Sequence, residues 1–313
     1  MFKTLILCGL ALPAPAAELD KAVLYQAPVA PNTRLPIYEN GYMIVTYSAG
    51  DSAITVYGSD GLRLFDTLVH VPQADSLSLG NSAADIDGTI AVTIAYSTSG
   101  KYVGGIALLD RSGRQTRLIK TDRYMPEELA FDANHNLWTA GWQRDIERDD
   151  MPDKRDYLIF RKFSPEGEQV GAFVSRSSFP AGLEPGTGIG GLKSLRAVNN
   201  RVGALLMSGK VGNLAEWLEL DLEGKLLGRW RMDDLHVANL ALTPDGNLYA
   251  HTPCSHSQTL QLTLFDRTTA SWRTLPGDLK AGCIMMGADG GDLVFLDYSG
   301  ASALLQYFRP PKP

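Results

Sequence analysis

The chain has 313 residues, 29 basic against 35 acidic side chains, a formal net charge of −6, and 44% hydrophobic against 20% charged residues. That balance lies far from the low-hydrophobicity, high-charge compositions that stay disordered, so a sizeable core is possible. An acidic chain with no basic run repels phosphate backbones, which sets nucleic acid aside as an expected partner.

Met1-Phe2-Lys3, the apolar run from Thr4 to Leu12 and the small residues Ala14-Pro15-Ala16-Ala17 form a secretory signal pattern. Residues 1–17 are therefore expected to be a signal peptide cleaved near Ala17, with 18–313 a single exported domain, periplasmic or secreted. The run is well short of the ~20 residues a membrane-spanning helix needs, and no later window approaches that length, so no transmembrane segment is expected. Leu7 is too large to precede a lipidated Cys8. Loss of Lys3 leaves 28 basic against 35 acidic side chains and a charge of −7. It also leaves Cys254 and Cys283, and an even pair in an exported chain reads first as a disulfide, with two free buried thiols as the alternative.

From residue 38 onward one unit recurs: a strand, a tight turn rich in Asp, Asn and Gly, and a second apolar strand. The turn residues Gly41, Gly88, Asn136, Asn200, Gly246 and Gly291 stand 47, 48, 64, 46 and 45 residues apart, which makes six copies. A second turn follows in most of them, as at Asp110-Arg111-Ser112-Gly113, Ser164-Pro165-Glu166-Gly167 and Asp221-Leu222-Glu223-Gly224. Gly supplies positive φ cheaply and a preceding Asp or Asn bonds the neighbouring backbone, so the spacing specifies hairpins by mechanism.

Two hairpins per period make a four-stranded sheet, and sheets packed radially around an axis bury both faces. The predicted fold class is therefore all-β: a six-bladed β-propeller of four-stranded antiparallel blades. The sixth copy stops after a third strand at Leu304 to Phe308. Residues 21–26 are expected to add the missing fourth strand and so close the ring, hiding an edge open to aggregation. Residues 213–222 could be read as a helix, yet Leu218, Leu220 and Leu222 alternate with Glu219 and Asp221, which predicts a half-buried strand.

The segments Asp245-Gly246-Asn247-Leu248-Tyr249 and Asn134-His135-Asn136-Leu137-Trp138, the latter followed by Phe163-Ser164-Pro165-Glu166-Gly167, resemble hairpins of the NHL-type and gluconolactonase-like six-bladed propeller superfamily. The resemblance covers nearly all of the chain after residue 17. It implies the fold and leaves activity open, because the superfamily includes lactonases, lyases and pure binding modules.

In such a propeller the loops from second to third strand and from each blade to the next share one face around the channel. The first class is expected at 48–52, 97–102, 142–156, 208–214 and 253–259, and the second at 70–75, 121–128, 175–192, 232–236 and 277–282. Cys254 and Cys283 then fall close together on that face. His70, His236, His251 and His256 also map near it, so a divalent metal is possible, although no paired-His motif marks a site and no cofactor is favoured.

The third copy is overlong. Its loop 144–156 holds six acids and four bases and reads as a solvated mixed-charge segment without calcium-loop spacing. The Gly-rich stretch 186–191 lacks the helix and spacing of a dinucleotide fingerprint. Trp138, Trp142 and Tyr157 bracket the long loop; Trp138 reads as core, whereas Trp142 and Tyr157 suit stacking on a sugar ring or a partner side chain. The ligand-binding candidates are Trp142, Tyr157, His236, His251 and His256. Gly50-Asp51-Ser52 sits in a hairpin loop and carries no hydrolase reading. The predicted function is an exported module that binds a small molecule or protein on the loop-bearing face. The alternative is a metal-assisted lactonase or lyase with its site at the channel mouth.

Overall fold

In the computed structural model the hairpin signals become six four-stranded antiparallel sheets arranged as a six-bladed β-propeller. The structure describes residues 17–25, 36–47, 52–145, 153, 155–179, 190–208, 215–232, 240–251, 259–282, 284–299 and 302–311. The first blade runs Ile37–Glu39, Tyr42–Thr46, Ala53–Tyr57, Arg63–Leu68, and the second Ser76–Ala84, Ile90–Thr98, Lys101–Leu109, Gln115–Asp122. The third is Tyr124–Phe131, Leu137–Gln143, Leu158–Phe163, Gln169–Ser175, and the fourth Gly190–Val198, Arg201–Ser208, Ala215–Asp221, Leu226–Arg231. The fifth is Ala241–Leu242, Leu248–His251, Leu262–Asp266, Ser271–Thr274. The sixth takes Ile284–Asp289, Asp292–Ser299 and Ser302–Arg309 from the end of the chain and Glu18–Tyr25 from its beginning. Each innermost strand touches the next, and the sixth touches the first, so the ring is closed.

Each seam between blades holds its own apolar cluster. Successive side chains of a strand point to opposite faces, so one strand feeds two seams. In Ala215–Asp221, Leu218 and Leu220 pack toward the third blade, while Trp217 packs toward the fifth. The other face of that strand is not wet as its pattern suggests. Glu219 is 1% exposed and accepts from Trp217 Nε1 at 2.8 Å, Arg201 Nη1 at 3.0 Å and the Arg267 guanidinium of the fifth blade. A charged position reads as solvent-facing in a lone sheet; here the neighbouring blade covers it and brings the counter-charge.

The tight turns follow the expected chemistry with one shift. Gly88 and Gly246 adopt φ of 89° and 84° in the second and fifth blades. In the third and fourth blades the left-handed residue is His135 or Asn199, one place before the asparagine that marks the repeat. His135 is held there by the second blade, its Nδ1 lying 2.7 Å from Asp85 Oδ2.

Two loops differ from expectation. Residues 121–128 are mostly strand, since the second blade ends at Asp122 and the third begins at Tyr124, with only Arg123 between them. Within 253–282, Thr259–Leu260 and Leu279–Lys280 pair as a small extra ladder outside the six blades. The only helical turn among the described residues is the short 3₁₀ segment Arg176–Ser178, and none of their helices is long and apolar enough to cross a membrane.

Closure follows the predicted route with a longer strand. Glu18–Tyr25 pairs antiparallel with Ser302–Arg309, from Glu18 opposite Arg309 to Tyr25 opposite Ala303. Tyr25 is fully buried and meets Tyr57 of the first blade edge-on at 6.0 Å. Beneath it Tyr307 donates to Tyr38 at 2.9 Å, and Tyr38 donates to Asp289 at 2.7 Å, so polar groups as well as rings knit the seam.

Two measurements check this account. Tyr25→Ala should cost about 3–5 kcal/mol, the usual penalty for emptying a buried aromatic site, seen as a lower urea midpoint; an unchanged midpoint would show that the closing strand is not part of the folded ring. Glu219→Ala strands two guanidinium groups and should cost about 3 kcal/mol. Glu219→Gln keeps an acceptor for Trp217 and should lose less.

Candidate functional site at the central channel

The innermost strands wall the channel, and four of them are irregular in the same way. The ladder slips between Leu79 and Ser82 in the second blade, Pro126 and Glu128 in the third, Leu192 and Ser194 in the fourth, and Met285 and Gly287 in the sixth. A bulge leaves a residue unpaired and re-aims side chains, and bulges concentrate beside functional sites. Gly80 is required at the first of them, because a Cβ there would lie 2.0 Å from Thr93 Oγ1.

Between these strands lies a cavity of about 180 Å³ lined by Pro36, Ile37, Asn81, Ser82, Glu128, Leu129, Arg196, Ile284, Met285 and Met286. Pro36, Ile37, Ile284 and Met285 stand at or before the start of their strands, on the side of the loop-bearing face, and form an apolar collar. Arg196 comes near the end of its strand and forms part of the floor. Its Nη2 donates across the bore to Met286 O at 3.1 Å and its Nη1 to Leu195 O at 3.2 Å. Gly287, beside the Met286 carbonyl, adopts φ of 146°, a conformation that side-chain-bearing residues rarely take.

Asn81 Nδ2 donates to Glu128 Oε1 at 2.7 Å and to Glu127 O at 3.0 Å, joining the second and third blades across the channel wall. Glu39 Oε2 accepts from Ala84 N at 3.0 Å, joining the first and second. Burial pushes the Glu39 carboxyl up to about 7, and the Arg196 charge and the Ala84 amide hold it from rising further. Ser82 is 3% exposed, and its Oγ has no hydrogen-bond partner among the described residues; neither does Arg196 Nε.

The residues singled out from sequence fall elsewhere. Trp142 is partly buried on the loop-bearing side, where the Arg144 guanidinium lies 5.8 Å from its ring and 4.7 Å from that of exposed Tyr102. Tyr157 is 7% exposed, with its ring in the seam between the third and fourth blades. His251 is 8% exposed and tilts against Phe295 at 5.9 Å. His70 is exposed, its backbone clasped by Gln115 in two bonds of 2.9 Å. His236, His256, Cys254 and Cys283 lie outside the described residues.

The loop expected to be solvated has a buried anchor. Asp153 is 1% exposed and accepts from Arg123 and Arg155, and the Arg155 guanidinium beside it holds its carboxyl well below the usual range. Among the described residues the one group of three side chains placed to share a metal ion is Asp85, Asp87 and His135. It sits on the tight-turn side, opposite the loop-bearing face, and contains the histidine the sequence reading had not placed with the others.

No sequence signal pointed to Glu39, Ser82 or Arg196. They sit on strands whose pattern reads as ordinary blade; Ser82 and Arg196 lie on bulged inner strands, Glu39 on a regular one.

The Glu39 titration has a sign. The group is neutral in both states below pH 4.5, its ordinary value, so folding bears no penalty there. Above that the unfolded chain ionises first, and stability falls until pH passes about 7. Glu39→Gln should therefore match the parent near pH 4 and exceed it increasingly toward pH 7.5, by something of the order of 3 kcal/mol. A stability difference that does not change with pH would show that burial leaves this carboxyl unshifted.

No family model matches the chain, and no curated protein matches it. Solved structures do. The β-propeller domain of the Trilobed protease from Pyrococcus furiosus is 8% identical with a TM-score of 0.48, over 72% of this chain and 64% of that one. The chain thus spans somewhat under two thirds of that domain. The Dos1 propeller is 8% identical with a TM-score of 0.50, over 86% of this chain and 77% of that one. A candidate 6-phosphogluconolactonase from Bacteroides uniformis is 13% identical with a TM-score of 0.45, over 78% and 69%. At these identities the likeness is one of fold, and the chain is a six-bladed β-propeller.

Proposed function

We infer that the chain is an exported binding module that takes a small molecule into the channel from the loop-bearing face. The observation that carries this reading is the cavity itself: four bulged inner strands surround it, and a buried Ser82 hydroxyl without a partner among the described residues lies in its wall. Unpartnered buried polar groups are rare and costly, and pockets with apolar walls and a few convergent polar groups are the usual form of a ligand site. A propeller is well suited to the task, because its rigid ring holds the wall while the loops above remain free to vary.

A metal-assisted lactonase or lyase is the second reading, supported by the hairpin resemblance to gluconolactonase-like propellers. It needs several ligating side chains converging at the channel mouth. Among the described residues the one group of three lies on the other side of the ring, so the binding reading is preferred.

A thermal-shift screen of the full chain against small polar fragments tests the first reading. Hits are expected to raise the melting temperature of the parent and to lose at least part of that effect in Ser82→Ala, whose packing is nearly unchanged. Hits equally effective on both proteins would place the site away from the channel. Metal analysis of the purified protein, with a lactone hydrolysis assay in the presence and absence of chelator, should be blank; chelator-sensitive turnover would replace the binding reading with the second.

A further inference from the structure

Most partly buried guanidinium groups among the described residues are matched to carboxylates, although Arg161 lies instead over the Tyr124 ring at 3.9 Å and donates to Gln169. Arg201 and Arg267 share Glu219, Arg229 meets Glu216, and Arg123 meets Asp153. Arg196 also departs from that pattern. It is partly buried in the channel wall, its bonds go to two backbone carbonyls, and none of the described ion pairs includes it. Glu39 is near enough for the two charges to interact, yet the pair is not in ion-pair contact, and burial favours the neutral form of that carboxyl. A charge taken out of water without a counter-charge is costly unless something supplies one.

The walls above the floor are of another kind. Pro36, Ile37, Leu129, Ile284, Met285 and Met286 present hydrocarbon and thioether surface to the same cavity. Its volume is about 180 Å³, ample for several water molecules. The space is polar at one end, where the Arg196 guanidinium and the Ser82 hydroxyl line it together with Asn81 and the Glu128 carboxylate that Asn81 binds, and apolar at the other.

We propose that the channel takes a short aliphatic carboxylate, its head group on the Arg196 guanidinium beside the Ser82 hydroxyl and its tail within the collar of Pro36, Ile37, Ile284 and Met285. The guanidinium fork has more N–H donors than its two carbonyl partners use, and a carboxylate is the acceptor whose geometry fits it. The Ser82 hydroxyl turns to donate a second bond. The inference rests on the channel reading above and adds the class of ligand.

Butyrate and its neutral isostere butanamide separate the two claims. Titration of the full-length protein, followed by ligand-observed NMR, should show saturable butyrate binding about tenfold tighter than that of butanamide, the difference expected when a hydrogen bond gains a charge. Arg196→Gln should remove that preference. Ser82→Ala, which leaves the cavity shape intact, should weaken butyrate binding severalfold, so the test survives if the arginine variant folds poorly. Butanamide binding as tightly as butyrate and sensitive to Ser82→Ala would overturn the carboxylate while leaving the channel site standing. No saturable butyrate binding overturns the proposal, and the fragment screen then decides the channel reading separately.

Discussion

The ladder between Glu18–Tyr25 and Ser302–Arg309 is the constraint on which the rest of the molecule depends. Five blades are continuous in sequence and could form as local hairpins, but the sixth exists only when the two ends of the chain meet. Until then the sixth blade lacks its outer strand, and the cluster that contains Tyr25, Tyr57 and Tyr307 lacks one of its walls. The channel is a property of the closed ring: its lining comes from the first, second, third, fourth and sixth blades, and Arg196 reaches from the fourth to the sixth. A ring with a loose seam would have neither the cavity nor the bond that fixes its floor.

Electrostatics follows the same geometry. Because every blade has a neighbour on each side, a charged side chain on a middle strand can be covered by the next blade, which then supplies the counter-charge. Glu219 with Arg201 and Arg267 is balanced in this way across the fourth seam, and Asp85 pairs with His135 across the second. His135 occupies a left-handed position that Gly88 and Gly246 hold in other blades, and the Asp85 bond offsets what that conformation costs a non-glycine residue. Arg196 and Glu39 stand outside this pattern. One is a cation with only carbonyl partners and the other a carboxyl that burial drives toward neutrality. Both stand on innermost strands, Arg196 in the cavity lining and Glu39 bonded to the Ala84 amide of the second blade.

The candidates read from the sequence were histidines that map near the loop-bearing face and aromatic side chains that bracket the long third-blade loop. Tyr157 lies in the apolar cluster between the third and fourth blades, and the His251 ring tilts against Phe295. The acidic positions of the long third-blade loop look alike in sequence. Asp153 differs only because Arg123, thirty residues earlier, returns beside it at the end of the second blade. Histidine count and loop charge are local quantities, whereas burial is set by which blade faces which.

The sequence by itself determined the periodic elements: six turns at near-constant spacing, the hairpins they enforce, the strand character of residues 215–221, and the missing strand that the amino-terminal segment completes. These are consequences of φ preferences and period-two alternation, which act over a few residues and so can be read from a few residues. Only the tertiary structure decided where the charges balance and where they do not. The bulges that turn Asn81, Ser82, Glu128 and Arg196 toward the bore depend on how each inner strand registers against its neighbour under the crowding of the ring. Register within a sheet is cooperative over the whole blade, and the pairing of Arg196 with a carbonyl ninety residues away is set by closure of the circle.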